Sequence, residues 1–81
     1  MEIIKREIAR EVDGFRISVI KFKDGTYELA ILAEDWFGNW ELDYSIFNDV
    51  LKAETEMEVY GTIQHIIAPA YYEEYNVDFT I

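Results

Sequence analysis

The stretch EVDGFRISVIKFKDGTYELAILAE, residues 11–34, carries two Asp-Gly pairs set among runs of β-branched and aromatic side chains. Asp-Gly suits a two-residue hairpin loop because both central positions of a type I′ turn take positive φ. The stretch therefore reads as a meander with strands over residues 2–12, 15–23 and 26–34. Closing the second hairpin on Asp24-Gly25 sets Phe22 opposite Tyr27, Lys21 opposite Glu28 and Ile20 opposite Leu29. Cross-strand partners share a face, so Ile20, Phe22, Tyr27, Leu29 and Ile31 form the expected core face.

Closing the first hairpin on Asp13-Gly14 sets Val12 opposite Phe15, Ile8 opposite Val19 and Arg6 opposite Lys21. The second face then gathers Ile8, Val12, Phe15, Ile17, Val19 and Leu32, so both faces are apolar. One helix covers only one of them, and the other calls for a second covering surface such as another subunit. Residues 2–12 also place Ile4, Ile8 and Val12 at helical spacing, but their β-branching and the tight loop favour a strand.

Beyond this meander, residues 34–43 (EDWFGNWELD) read as a further hairpin with Gly38-Asn39 as its loop. That register opposes Phe37 to Trp40, Trp36 to Glu41, Asp35 to Leu42 and Glu34 to Asp43. The last pair sets like charges side by side, a cost that a cation or a basic partner would offset. Residues 44–52 (YSIFNDVLK) fit either a strand or a helical turn. Thr55 and Glu58 then form a capping box, and Met57, Val59, Tyr60, Ile63, Ile66 and Ile67 make one broad helical face running to Ala68, where Pro69 ends it. EMEVYGTI also alternates as a strand would, and Gly61 weakens a helix by about 1 kcal/mol, yet the capping box favours the helix. Val77, Phe79 and Ile81 alternate inward as a closing strand. The expected fold is α+β: a small antiparallel β-meander sheet of four to five strands packed against one main helix, with residues 1–81 as a single acidic domain.

Charge is the most informative part of the composition. The net charge is −10, and its distribution is uneven. Residues 1–23 hold Lys5, Arg6, Arg10, Arg16, Lys21 and Lys23 against four acids, whereas residues 24–81 hold Lys52 alone against thirteen. Such a chain repels nucleic acid and anionic membranes and steers toward basic partners. Half the residues are hydrophobic and 16% are aromatic, a composition that folds. With no cysteine, there is neither a disulfide framework nor a thiolate metal site. No apolar run approaches the roughly 20 residues that span a bilayer, and the charged start lacks a signal peptide's apolar centre, so the expected location is cytoplasmic.

The residue inventory argues against catalysis. There are two serines, the single His65 falls off the apolar helix stripe, and the glycines stand singly without forming a phosphate loop. Glu34 and Asp43 are the best-placed carboxylate pair for acid–base work, but so small a domain hardly makes the cleft that such chemistry needs. Glu34, Asp35, Glu41 and Asp43 are hard oxygen ligands, yet they lack the alternating pattern of a Ca²⁺ loop and read as solvated acids. No cofactor or metal is expected, and the protein is read as non-enzymatic.

The remaining reading is interaction. Trp36, Trp40, Tyr71, Tyr72 and Tyr75 offer aromatic anchors, and Glu34, Asp35, Glu41, Asp43, Glu73 and Glu74 offer carboxylates that stand in for nucleic-acid phosphates. The expected partner is a basic protein such as a nucleic-acid-binding enzyme, whose groove the acidic surface occupies; the alternative is a homodimer closed by the same aromatics. In size, acidity, absence of cysteine and lack of a catalytic constellation, the chain resembles the small inhibitors carried by phages and mobile elements, such as anti-CRISPR and antirestriction proteins. The likeness is one of composition.

Overall fold

A computed structural model describes residues 2–80. The elements are β1 (Ile3–Val12), β2 (Phe15–Phe22), β3 (Tyr27–Glu34), β4 (Trp40–Leu42), β5 (Leu51–Ala53), α1 (Glu56–Thr62) and α2 (Ala68–Tyr75). A π-helical segment, Ile63–Ile67, joins α1 to α2, so residues 56–75 form one helix. The sheet is antiparallel with order β1-β2-β3-β4, and β5 shares with β4 the outer edge of β3. The fold is the expected α+β architecture of five strands and one long helix. The ambiguous residues 44–52 resolve into a loop that leads into β5.

The Asp13-Gly14 loop forms as expected, with φ of 49° and 83°, and pairs Val12 with Phe15. The Asp24-Gly25 loop does not. There the Gly25 N–H donates to the Phe22 carbonyl at 3.0 Å, and the Phe22 N–H donates to the Thr26 carbonyl at 2.9 Å. This is a three-residue loop whose last position, Gly25 at φ 89°, lies in the left-handed region. The extra residue moves the register by one: Lys21 opposes Tyr27, Val19 opposes Leu29 and Ile17 opposes Ile31. A one-residue slip exchanges the faces of a strand. Ile17 and Val19 are therefore in the core, and Ile20 and Phe22, expected there, lie half-buried on the other face.

Strand β1 departs from simple pairing at an irregularity between Ile8 and Arg10, beyond which Ile8 opposes Ser18 and Arg6 opposes Ile20. The expected pairs of Ile8 with Val19 and Arg6 with Lys21 are corrected accordingly, and the like-charged neighbours are Lys5 and Lys21.

Thr55 caps α1, its hydroxyl accepting the Glu58 N–H at 3.1 Å, while the Glu58 carboxylate accepts the Glu54 N–H at 2.8 Å. The capping box thus satisfies donors on both sides of the helix start. Pro69 does not end the helix. In the π segment the Ala68 N–H bonds the Ile63 carbonyl five residues back, and this widened turn relieves the clash and missing donor of a proline in the next turn. Val59, Ile63, Ile67 and Tyr71 bury one stripe, whereas Met57, Tyr60 and Ile66, assigned to the same stripe from sequence, are exposed. The helix stops at Asn76, a left-handed C-cap at φ 57° whose N–H bonds the Tyr72 carbonyl.

The core is one cluster: Ile17, Val19, Leu29 and Ile31 from the sheet, the helix stripe above them, and Val77 and Phe79 from the chain's end. Val77 and Phe79 turn inward as expected, but residues 76–80 form no strand; Ile81 lies outside the described residues. Arg10 donates to the Thr80 carbonyl at 2.8 Å, holding this tail by a side chain where a ladder was expected.

Two glycines give opposite expected outcomes in chemical denaturation. Gly25→Ala meets no atom but forces an L side chain to φ 89°, and should destabilise by about 1–2 kcal/mol. Gly61→Ala, with helical backbone and open space, should stabilise by about 0.5–1 kcal/mol.

Candidate functional site

The β3–β4 connection is a three-residue loop of the same type as that at Gly25. The Gly38 N–H donates to the Asp35 carbonyl at 3.1 Å, the Asp35 N–H donates to the Asn39 carbonyl at 2.7 Å, and Gly38 has φ 85°. The Asp35 carboxylate accepts the N–H groups of Phe37 at 2.8 Å and Asn39 at 2.9 Å. Asp35 is therefore the residue that builds the turn. What the turn holds out is Trp36 at 96% exposure and Phe37 at 86%. Scattered exposed apolar side chains are ordinary on protein surfaces, but two adjacent rings on a hydrogen-bonded tip form a contact-ready projection.

The longer loop shifts this hairpin's register as well. Glu34 opposes Trp40, Ala33 opposes Glu41 and Leu32 opposes Leu42, so the expected like-charge pair of Glu34 and Asp43 does not form. Strand alternation sends Glu41 to the helix-covered face with Ala33, and Glu34 to the open face with Trp40. Glu34 leans toward the tip, with Oε2 3.9 Å from where a β-carbon on Gly38 would stand. Trp40 is not a free anchor: the Arg16 guanidinium lies 3.7 Å from its ring centroid and also pairs with Glu11.

The tyrosines divide in the same way. Tyr71 is fully buried, its ring edge-on to Phe15 at 5.3 Å and to Phe79 at 5.5 Å between centroids. Its hydroxyl donates to Asp43 Oδ2 at 2.6 Å, while Asp43 also accepts the Ser45 N–H and hydroxyl. Burial pushes the Tyr71 hydroxyl far above its ordinary range, and the hydrogen bond to and charge of Asp43 push the same way. The Tyr75 hydroxyl donates to Ser45 Oγ, so α2 ties down the loop after β4 at two points. Tyr72, Glu73 and Glu74 are exposed on α2.

Of the residues singled out from sequence, Trp36, Glu34, Glu41, Tyr72, Glu73, Glu74 and part of Tyr75 face solvent. Asp35, Trp40, Asp43 and Tyr71 are engaged within the fold. Phe37, left out of that set and expected opposite Trp40 in a strand, stands beside Trp36 in the tip, because the loop is residues 36–38 and not Gly38-Asn39. Arg16 over Trp40 had no sequence signal until the register was known. Tyr71 did have one: Val59, Ile63, Ile67 and Tyr71 recur every four residues through Pro69. Among the described residues, no three carboxylate or histidine side chains converge to hold a metal ion, and no helix is long and apolar enough to cross a membrane. No protein-family model, curated protein sequence or solved structure matches the chain.

Tyr71→Phe should cost about 2 kcal/mol at neutral pH, because the Asp43 carboxylate loses its donor. The alkaline limb should also change. A hydroxyl whose folded pKa is raised contributes stability that is complete below the unfolded value of about 10 and is lost as pH rises above it. Denaturation midpoints above that pH should therefore fall less steeply in Tyr71→Phe than in the unaltered protein.

Proposed function

We propose that the chain is a non-catalytic protein-binding module that presents Trp36 and Phe37, flanked by Glu34 and Glu41, to a basic partner. The observation that carries this reading is the near-complete exposure of two adjacent rings on a turn whose backbone is held by Asp35 and Gly38. Aromatic side chains in partner pockets supply much of the energy of protein interfaces, and a preformed turn lowers the ordering cost of inserting them. The surrounding carboxylates, in a chain of net charge −10, accelerate encounter with a positively charged surface. The partner class with the largest such surfaces is proteins that handle nucleic acid, whose grooves are lined by Lys and Arg. Occupying that groove blocks it, and the function is inhibition by competition.

The test is an affinity capture from bacterial lysate, washed at low and high salt, with three forms of the protein. The unaltered chain should retain nucleic-acid enzymes at low salt and release them at high salt. Trp36→Ala with Phe37→Ala, and separately Glu34→Gln with Glu41→Gln, should each lose them while leaving folding stability within about 0.5 kcal/mol, since these side chains are exposed. Asp35 is left intact because its carboxylate builds the turn. Capture that is indifferent to both double variants defeats this reading.

A second reading, self-association, is favoured by a separate observation. The sheet face away from the helix carries Ile3, Ile8 and Leu42 at 38–49% exposure, around half-buried Ile20, Phe22 and Leu32. A second copy packed there would hide this apolar band. Sedimentation would then report a concentration-dependent dimer that resists salt and is abolished by Leu42→Lys.

A further inference from the structure

A cavity of about 300 Å³ lies between the core-side face of β1–β2 and the start of the helix. Its floor is apolar, formed by Val19, Val59 and Ile63, all buried core residues. Four charged residues line the cavity: Lys5 and Lys21, which are direct cross-strand partners on the same face, together with Glu7 and Glu56. The helix packs over β3 and β5 and leaves this part of β1 uncovered. The volume is at the lower end of the range of small-molecule clefts, which are typically apolar with a few convergent polar groups.

The charges at the mouth are not balanced alike. Lys5 lies 3.4 Å from Glu7 and is partnered. The Lys21 ammonium has only the Tyr27 ring, 5.6 Å away, and no ion pair among the described residues. Glu56 stands on the helix wall and, among the described residues, pairs with neither lysine. In a chain with 17 acids and seven bases, carboxylates were available in excess, yet Lys21 opposes Lys5, whose carboxylate partner is Glu7, and has no ion pair of its own among the described residues. Like charges directly opposite each other on a sheet are destabilising, and an anion placed between them offsets that cost.

We infer that this cavity is a binding site for a small amphiphilic carboxylate, whose apolar body occupies the Val19–Val59–Ile63 floor and whose carboxylate meets Lys21 and Lys5. The site is distinct from the hairpin tip and independent of the protein-binding reading. Selectivity for an anion here runs against the long-range field of the molecule, which repels anions. Only local contact with the lysines produces it.

Three probes of six carbons each test the assignment: hexanoate, 1-hexanol and hexylammonium. Each is titrated into the isotopically labelled protein while the methyl signals of Val19, Val59 and Ile63 are followed by NMR. Hexanoate should give saturable shifts at these methyls, with 1-hexanol about tenfold weaker, the scale of one charge-assisted hydrogen bond. Hexylammonium should be weaker still at this site. Lys21→Gln should reduce hexanoate affinity about tenfold and leave hexanol unchanged, and Lys5→Gln serves as the second variant should Lys21→Gln disturb the spectrum of the fold. Equal response to hexanoate and hexanol, preference for hexylammonium, no saturable shift with any probe, or unchanged hexanoate affinity in a folded lysine variant would overturn the assignment.

Discussion

A single residue of loop length between β2 and β3 governs the arrangement of the whole molecule. Gly25 in the left-handed region lets the loop hold three residues, and the side-chain period of a strand is two. Ile17 and Val19 are thereby set against Leu29 and Ile31 on the face that the helix covers. Lys21 and Tyr27 fall on that face as well, at its uncovered end, where they help form the cavity mouth. Ile20 and Phe22 are sent to the open face. Gly38 repeats the device one hairpin later, and there it relieves the like-charge opposition that a two-residue loop would impose and pairs Leu32 with Leu42.

The second organising element is Tyr71. Its ring sits among Phe15, Phe47, Tyr75 and Phe79, and its hydroxyl reaches Asp43. One side chain thus joins sheet, helix, tail and the loop after β4. A buried tyrosine with a satisfied hydroxyl contributes its ring area and avoids the penalty of an unpaired polar group. The loop it secures leads directly from the hairpin that carries Trp36 and Phe37, so packing in the core and presentation at the tip are physically continuous.

Much of this was legible in the sequence. The three meander strands, the hairpin at Gly38, the capping box at Thr55 and the inward Val77 and Phe79 follow from turn chemistry, alternation and capping. Loop length was not legible, because Asp-Gly serves both the two-residue loop at Gly14 and the three-residue loop at Gly25; Gly14 follows an aspartate with φ 49°, whereas at Gly25 the aspartate instead accepts from Thr26. The thermodynamic difference between the two loops is set by which strand faces the helix buries. Helix length was hidden for a comparable reason: the rule that proline ends a helix assumes an α-helical turn before it, and here that turn is π. For the site, the burial of Tyr71 could be read from the four-residue recurrence of Val59, Ile63 and Ile67, whereas the place of Trp36 in the loop depends on loop length, and the bond of Tyr71 to Asp43 and the capping of Trp40 by Arg16 are tertiary facts.

The energetics of the tip separate what the rings contribute from what the acids contribute. Leaving a large apolar side chain in water forgoes roughly 1.5–3 kcal/mol of burial for each, and a chain of 81 residues has little stability in reserve. The fold could hide such rings only by loosening a turn that four backbone amides and one carboxylate hold in place. The unrealised burial therefore remains available to whatever docks. The acids act differently. Glu34 and Glu41 are solvated in the free protein and would be partly desolvated in a complex, so their net gain is small, while their long-range attraction acts before contact. In the proposed complex, affinity would reside chiefly in slow dissociation of the rings, and selection among partners in the rate at which basic surfaces arrive.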